Sequence, residues 1–281
     1  MTLKGKTCLI TGATSGIGKV TAIKLAKEEA FIVLASRNLE KGEKTKQEII
    51  DTTGNKNIEV MFCDLASMKS IRDFVGSFKE KYNDLHILIN NAGLWEFKRK
   101  ESEDGIEMNF AVNHLAPFLF TNLLLDLLRN SAPARIINVS SMAHKMTKVN
   151  FDDIEGKKSW NGFKSYSMSK LCNILFTKKL SNILEGTAVT VNCLHPGLVS
   201  TALFNKMNKF LKNIVGYFMI TPEKGAETSI YLATSDEVKN ISGEYFVKKK
   251  IASPSKAAKD QKAINKLWDL SLKYTEPYLN Y

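Results

Sequence analysis

This chain has few of the residues that usually hold metals or disulfides. Its four cysteines, Cys8, Cys63, Cys172 and Cys193, are scattered through 281 residues and form no C-x-x-C pair. None stands at a zinc-like spacing from a histidine. Free thiols in a reducing compartment follow. His86, His114 and His144 show no ligand spacing, and His195 reads as a turn residue, so no metal is expected. An apolar run of the ~20 residues that a membrane helix needs is missing. No secretory leader is expected either, because the opening "MTLKGKTCLITG" passes straight into a strand pattern. The cytoplasm is the expected location. No internal repeat, low-complexity linker or shift in composition divides the chain, which reads as one domain over 1–281. Acidic residues are outnumbered, 29 against 40 Lys and Arg, for a net charge of +11. Such a balance can serve nucleic acid, an anionic membrane or a polyphosphate ligand. The cations are scattered, however, and the densest run is only Lys248 to Lys250. They read as solvated surface, and nucleic acid is not expected.

What is present is alternation. "TCLIT" (7–11), "FIVLAS" (31–36), "NIEVMFC" (57–63), "HILIN" (86–90), "RIINVSS" (135–141) and "AVTVNCL" (188–194) read as buried strands, with a seventh at "EYFVK" (244–248). Longer segments of helical period separate them. Continuous apolar strands between helices predict a parallel sheet covered on both faces. Right-handed crossovers make it doubly wound, a Rossmann-type α/β fold of about seven strands.

The first strand runs into "TGATSGIG" (11–18), which opens a helix. A nucleotide-binding glycine turn requires that context. Gly12 permits the tight turn, Gly16 lets the backbone approach a pyrophosphate, and Gly18 lets helix and strand pack closely. The helix N-terminus offers N–H groups to phosphate. The plain alternative is a βα turn that uses glycine for geometry alone. No acid follows the second strand, where a ribose 2′-hydroxyl would need one. Arg37 stands there instead, and a guanidinium can fork onto a 2′-phosphate. NADP(H) is therefore expected over NAD(H), unless Arg37 is only a surface charge. Asp64, ending the third strand, faces the adenine in one reading and caps a helix in the other.

Tyr166 and Lys170 stand four apart in "KSYSMSK", one turn on a single helix face. A phenol beside an ammonium is either a packing detail or a tuned acid. The ordinary tyrosine pKa, about 10, is too high for easy exchange near neutrality. A lysine within a few ångströms is expected to lower it. Tyr166 could then act as acid in carbonyl reduction and as base in oxidation. Ser141, ending the fifth strand, can donate to the substrate oxygen.

TGATSGIG, Asp64, "NNAG" (90–93), Asn113 in "VNHL", Ser141, Tyr166–Lys170 and "HPG" (195–197) occur in one order. That order resembles the short-chain dehydrogenase/reductase family over nearly the whole chain. "LASRNLEKGE", "LHPGLVST" and "KLWDLSLKY" are similar to its NADP-preferring, retinol dehydrogenase-type branch. The resemblance implies an oxidoreductase that interconverts a carbonyl and an alcohol on a lipophilic, retinoid-like substrate. The alternative is a dinucleotide-binding scaffold with weak turnover. It implies catalytic roles for Ser141, Tyr166 and Lys170, and a water-holding role for Asn113 unless that residue only satisfies helix backbone. It implies cofactor contacts at Gly12, Thr14, Ser15, Gly16, Ile17 and Gly18. Further contacts fall at Arg37, Asp64, Leu65, Asn91, Ala92 and Gly93, at Tyr166 and Lys170, and at Pro196, Gly197, Val199 and Thr201. Asn90 and Asn91 are expected to tie strand ends together. Animal members of the branch carry an N-terminal hydrophobic anchor that this sequence does not show, so membrane contact, if any, is expected to be peripheral.

The segment 202–222 has helical apolar period with interleaved lysines. It reads as a helix packed on its own protein, as an apolar lid over the substrate, or as a basic amphipathic helix against a membrane. Trp95 and Trp160 are placed to line the pocket or to pack in the core. The tail over 254–281 reads as a final amphipathic helix for packing or for a homo-oligomer contact.

Overall fold

The seven apolar runs become strands where the sequence places them. The computed structural model describes residues 2–199 and 219–279. The strands are β1 (Thr7–Thr11), β2 (Phe31–Ser36), β3 (Ile58–Phe62), β4 (Ile87–Asn90), β5 (Ala134–Val139), β6 (Val189–His195) and β7 (Tyr245–Val247). An eighth strand, β8 (Lys250–Ile251), is not evident in the sequence pattern. It exists because Lys248 and Lys249 take positive φ, 50° and 62°, and turn the chain back along β7. The sheet order is β3-β2-β1-β4-β5-β6-β7-β8, parallel throughout except for β8.

The described helices that cover the sheet are α1 (Gly16–Lys27), α2 (Leu39–Thr53), α3 (Met68–Lys81), α4 (Ala116–Leu123), α5 (Leu125–Asn130), α6 (Gly162–Ile183), α7 (Pro222–Thr234) and α8 (Gln261–Leu279). Side-chain caps start several of them. Asn38 accepts from the Lys41 N–H, Ser67 from Ser70 and Asn161 from Lys164. Alternate strand residues enter opposite layers, as the pleat requires. Leu9 joins Phe74, Phe118 and Leu175 on one face, while Cys8 and Ile10 join Leu25, Ile32 and Leu232 on the other. All four cysteines are buried and unpaired. Burial pushes the Cys63 and Cys193 thiols up to about 12.

The chain winds outward in two directions from the β1–β4 boundary. That reversal leaves a crevice at the carboxyl ends of the strands. The segment from Met108 to Asn130 is not one continuous helix. A short helix (Met108–Phe110) runs into a π-helical turn (Ala111–Leu115) before α4 and α5. The Ala116 N–H reaches the Ala111 carbonyl. Pro117, four residues beyond Asn113, has no N–H to return to the Asn113 carbonyl. The widened turn therefore falls on Asn113, at the edge of the crevice.

Candidate active site

The glycine turn is held from the neighbouring strand. Gly12 and Gly16 have φ of 65° and 54°, which favour glycine. A Cβ on Gly12 would lie 2.8 Å from Ala92 Cα, and one on Gly18 would lie 2.4 Å from the Gly12 carbonyl oxygen. The Asn91 side-chain amide donates to the carbonyls of Thr11 (2.9 Å) and Gly12 (3.1 Å). Thr11 Oγ1 accepts from the N–H groups of Asn91 and Ala92, each at 3.1 Å. The sequence reading missed Thr11, although a hydroxyl that ends the strand before a glycine turn is a readable signal. Ser15 starts α1 with extended backbone and makes no side-chain cap, and the first turn carries no acid. The N–H groups there stay available to an anion. Thr14 and Ile17 are half-buried beside them.

Asn90 and Asn91 tie strand ends as expected. Asn90 donates to Asn138 Oδ1 on β5 (2.8 Å) and to Thr121 Oγ1 on α4 (3.0 Å). Asn138 passes the chain on to Thr177 of α6 at 2.9 Å. The end of β4 is thereby tied to the helix that carries Tyr166 and Lys170.

Tyr166 and Lys170 are both buried, with exposures of 8% and 4%. The Lys170 ammonium donates to the Val139 carbonyl at 3.2 Å and lies 5.9 Å from the centre of the Tyr166 ring. Burial lowers the Lys170 pKa to about 8. Burial also raises the Tyr166 pKa, and a hydrogen bond with the Ser141 hydroxyl opposes that rise. The expectation that Lys170 lowers the tyrosine is therefore not met. Desolvation of the phenolate outweighs the help it receives, and the ammonium is placed at the ring and at a carbonyl. Ser141 is half-buried and starts a 3₁₀ turn (Met142–Met146). Ser140 is fully packed, and its hydroxyl donates to the Lys170 carbonyl at 2.7 Å. Of the two serines, Ser141 is the more exposed and the one beside the Tyr166 hydroxyl.

Gly93 lies between the two remaining polar groups. A Cβ on it would meet Lys170 Nζ at 2.9 Å and Asn113 Oδ1 at 3.2 Å. The Asn113 side chain accepts from the Leu94 N–H (2.8 Å) and donates to the Leu94 carbonyl (2.8 Å) and to Ser169 Oγ (2.9 Å).

Elsewhere the placements are mixed. Arg37 is exposed just past β2. Asp64 Oδ1 accepts from the Ala66 N–H at 2.9 Å, and the helix cap that follows is Ser67. Leu65 packs on the core. His195, expected as a turn residue, is instead the last residue of β6, paired with Val247. Its Nδ1 accepts from the N–H groups of Met142, past β5, and Gly197, past β6. Pro196 is half-buried beside it. Gly197 has φ of 102° and lies where a Cβ would strike Ile220. Val199 and Ile17 both lie against Gly225 of α7, so the turn after β6 meets the start of α1. Thr201 and nearly all of the 202–222 segment lie outside the described residues. Trp95 stacks on Tyr166, with ring centres 5.5 Å apart. Trp160 packs instead under Gly156 and Gly162, and its indole N–H donates to the buried Glu107 at 3.1 Å. Among the described residues no cluster of His, Cys, Asp or Glu could hold a metal.

The family model for short chain dehydrogenases matches residues 6–212. The chain belongs to the short chain dehydrogenase family. It is 41% identical to human retinol dehydrogenase 11, over 96% of this chain and 85% of that one. It is 43% identical to human retinol dehydrogenase 13, over 95% of this chain and 83% of that one. Among solved structures, an uncharacterized protein from Mycobacterium paratuberculosis superposes with a TM-score of 0.81 at 30% identity, covering 98% of this chain and 95% of its own. The Pseudomonas aeruginosa RhlG/NADP active-site complex does so with a TM-score of 0.72 at 25% identity, covering 87% of this chain and 95% of its own.

As a short chain dehydrogenase the protein is an oxidoreductase that uses a nicotinamide dinucleotide. The residues present fit that group. The α1 N-terminus is uncapped above a turn whose glycines leave no room for side chains, which suits a pyrophosphate. The Lys170 ammonium, which lies close over Gly93 beside Asn113, offers donors that suit the ribose end. No helix among the described residues is long and apolar enough to cross a membrane.

Proposed function

We propose that this short chain dehydrogenase is NADP(H)-dependent and interconverts a carbonyl and an alcohol on a lipophilic, retinoid-like substrate. The observation that carries the reading is the hydroxyl of buried Tyr166 paired with that of half-buried Ser141 at the crevice, with the Lys170 ammonium near the ring. When bound, the nicotinamide would supply or accept the hydride at the substrate carbon. Tyr166 gives its phenolic proton to the substrate oxygen in reduction and takes it back in oxidation. The raised pKa of Tyr166 keeps the phenol protonated and suits the acid role. Ser141 donates to the same oxygen and stabilises charge developing there. Lys170 holds the nicotinamide ribose and returns a proton to the tyrosine. Its pKa near 8 lets it exchange close to neutrality. Asn113 stands beside Lys170, and its carbonyl lacks its usual helical donor at Pro117, which suits an acceptor for a relay water. The α1 N-terminus, Asp64, Asn91, Ala92 and the Pro196–Val199 turn hold the dinucleotide. Arg37, exposed and without an ion pair among the described residues, favours the 2′-phosphate.

The relatives named retinol dehydrogenases support the substrate class, and the NADP complex of a neighbour supports the cofactor. The aromatic stack Phe97–Trp95–Tyr166 supports an apolar, planar substrate. The chain acts as one domain over 1–281, in the cytoplasm, with any membrane contact peripheral.

The test is turnover of retinoids, aldehydes and ketones followed by NADPH and NADH absorbance, with Tyr166→Phe as control. Turnover with NADPH that falls at least about a hundredfold in the variant, with NADPH binding kept, is expected. Binding without turnover across every class would favour a dinucleotide-binding scaffold instead.

A further inference from the structure

A carboxylate is buried where the proposed chemistry makes no use of it. Glu107 is 0% exposed and has no cation partner among the described residues. Burial of an unpaired charge is costly unless hydrogen bonds replace its water. Here three donors do so. The Phe110 N–H reaches Oε2 at 2.8 Å, and the Asn109 amide and the Trp160 indole reach Oε1 at 2.7 and 3.1 Å. Two of these donors, Asn109 and Trp160, lead toward Tyr166. Asn109 accepts from the Glu96 N–H at 3.0 Å and donates to Ser165 Oγ at 3.3 Å, which fixes the residue after Trp95 and the residue before Tyr166. Trp160 packs under Gly162, the first residue of α6, where a Cβ would lie 2.5 Å from the Glu96 carbonyl oxygen. The carboxylate therefore joins three segments, 95–97, 107–110 and 160–166, around one phenol.

Trp95 is the contact that reaches the phenol itself. Its ring lies 5.5 Å from that of Tyr166 at 26°, and Phe97 continues the stack at 4.7 Å. Phe163 leans on the same indole at 5.8 Å. Phe97 and Phe163 are open to solvent, 39% and 43% exposed, whereas Tyr166 is buried. The indole thus stands between the solvent-facing phenylalanines and the reacting ring.

We propose that Trp95 is a positioning residue for Tyr166, and that the buried carboxylate of Glu107 sets the place of both. The indole covers the phenol and limits its wandering, so the hydroxyl stays with Ser141. This rests on Tyr166 being the proton donor, but its central test does not. The eight tyrosines are labelled with carbon-13 at the ring carbon that bears oxygen, and the empty enzyme is titrated by NMR. The signal absent from Tyr166→Phe belongs to Tyr166. In Trp95→Ala the Tyr166 signal should titrate at lower pH than in the parent, because water reaches the ring. Trp95→Phe should restore the parent value. Glu107→Gln supplies one acceptor and a second amide where three donors converge, and should shift Tyr166 in the same direction. It is preferred to Glu107→Ala, which leaves all three donors bare. Turnover gives a second reading, a kcat loss of about tenfold or more in Trp95→Ala with the KM for NADPH unchanged. An unchanged Tyr166 titration in Trp95→Ala overturns the proposal, whatever the turnover. A shift in Trp95→Ala without one in folded Glu107→Gln overturns the role of the carboxylate.

Discussion

The side chain of Asn91, just past β4, holds the carbonyl of Gly12, just past β1, at 3.1 Å. The same amide nitrogen would lie 2.5 Å from a Cβ on Gly18. One hydrogen-bonding group thus shapes the turn that would receive a pyrophosphate, and Gly18 has to stay bare for it to do so.

Gly18→Ala should therefore be damaging despite its small volume. The new methyl would also sit 2.4 Å from the Gly12 carbonyl oxygen, which is backbone and cannot swing aside. A stability loss of about 1–3 kcal/mol is expected, with dinucleotide affinity down by about tenfold or more. Thermal melting and a fluorescence titration with NADPH measure the two. Parent-like affinity would mean that the turn does not contact the phosphates.

Adjacent serines should separate stability from turnover. Ser140 is packed and donates to the Lys170 carbonyl at 2.7 Å, whereas Ser141 meets the Tyr166 hydroxyl. Ser141→Ala should lower kcat by about a hundredfold with little change in melting. Ser140→Ala should lower stability by about 1 kcal/mol, with the smaller kinetic effect. If kinetics and melting show the reverse order, the roles are exchanged.

Arg37 gives a cofactor test. It is exposed, so Arg37→Ala should leave melting unchanged. NADPH should bind about ten- to a hundredfold more weakly, the scale of a lost charged hydrogen bond, while NADH affinity holds. Equal weakening of both would remove the 2′-phosphate role.

The histidines set a stability trend with acid. Burial lowers the pKa of all four, His114 to about 3 and His195 to about 4, with His86 and His144 moved the same way. Below the ordinary value near 6.5 the unfolded chain binds protons that the folded chain refuses. Stability is therefore complete above about pH 6.5 and falls as the pH drops toward 4. Melting temperature from pH 8 to 5 checks the sign. His195→Asn should reduce the slope, because one fewer proton is then linked to unfolding.

Strand positions were readable because burial on both faces leaves continuous apolar runs, and β1 to β7 fall on them. The glycine turn was readable because positive φ and close approach exclude other residues at Gly12 and Gly18. β8 was not, because two lysines at positive φ carry no turn signature of their own. The break at Asn113 left only one trace, Pro117, in an otherwise helical apolar pattern.

From the order of its residues alone, this chain was legible as a doubly wound sheet with a dinucleotide turn and a Tyr–Lys pair on one helix face. That follows because period, turn chemistry and i,i+4 spacing are local properties. The tertiary structure alone decided that Tyr166 is raised rather than lowered, that Asn113 clamps Leu94, and that Trp160 serves a buried carboxylate. Those outcomes are set by groups far apart in the chain, such as Asn113 and Ser169, 56 positions apart yet 2.9 Å from each other. Desolvation and hydrogen bonding depend on what packing brings together, and no local pattern contains that.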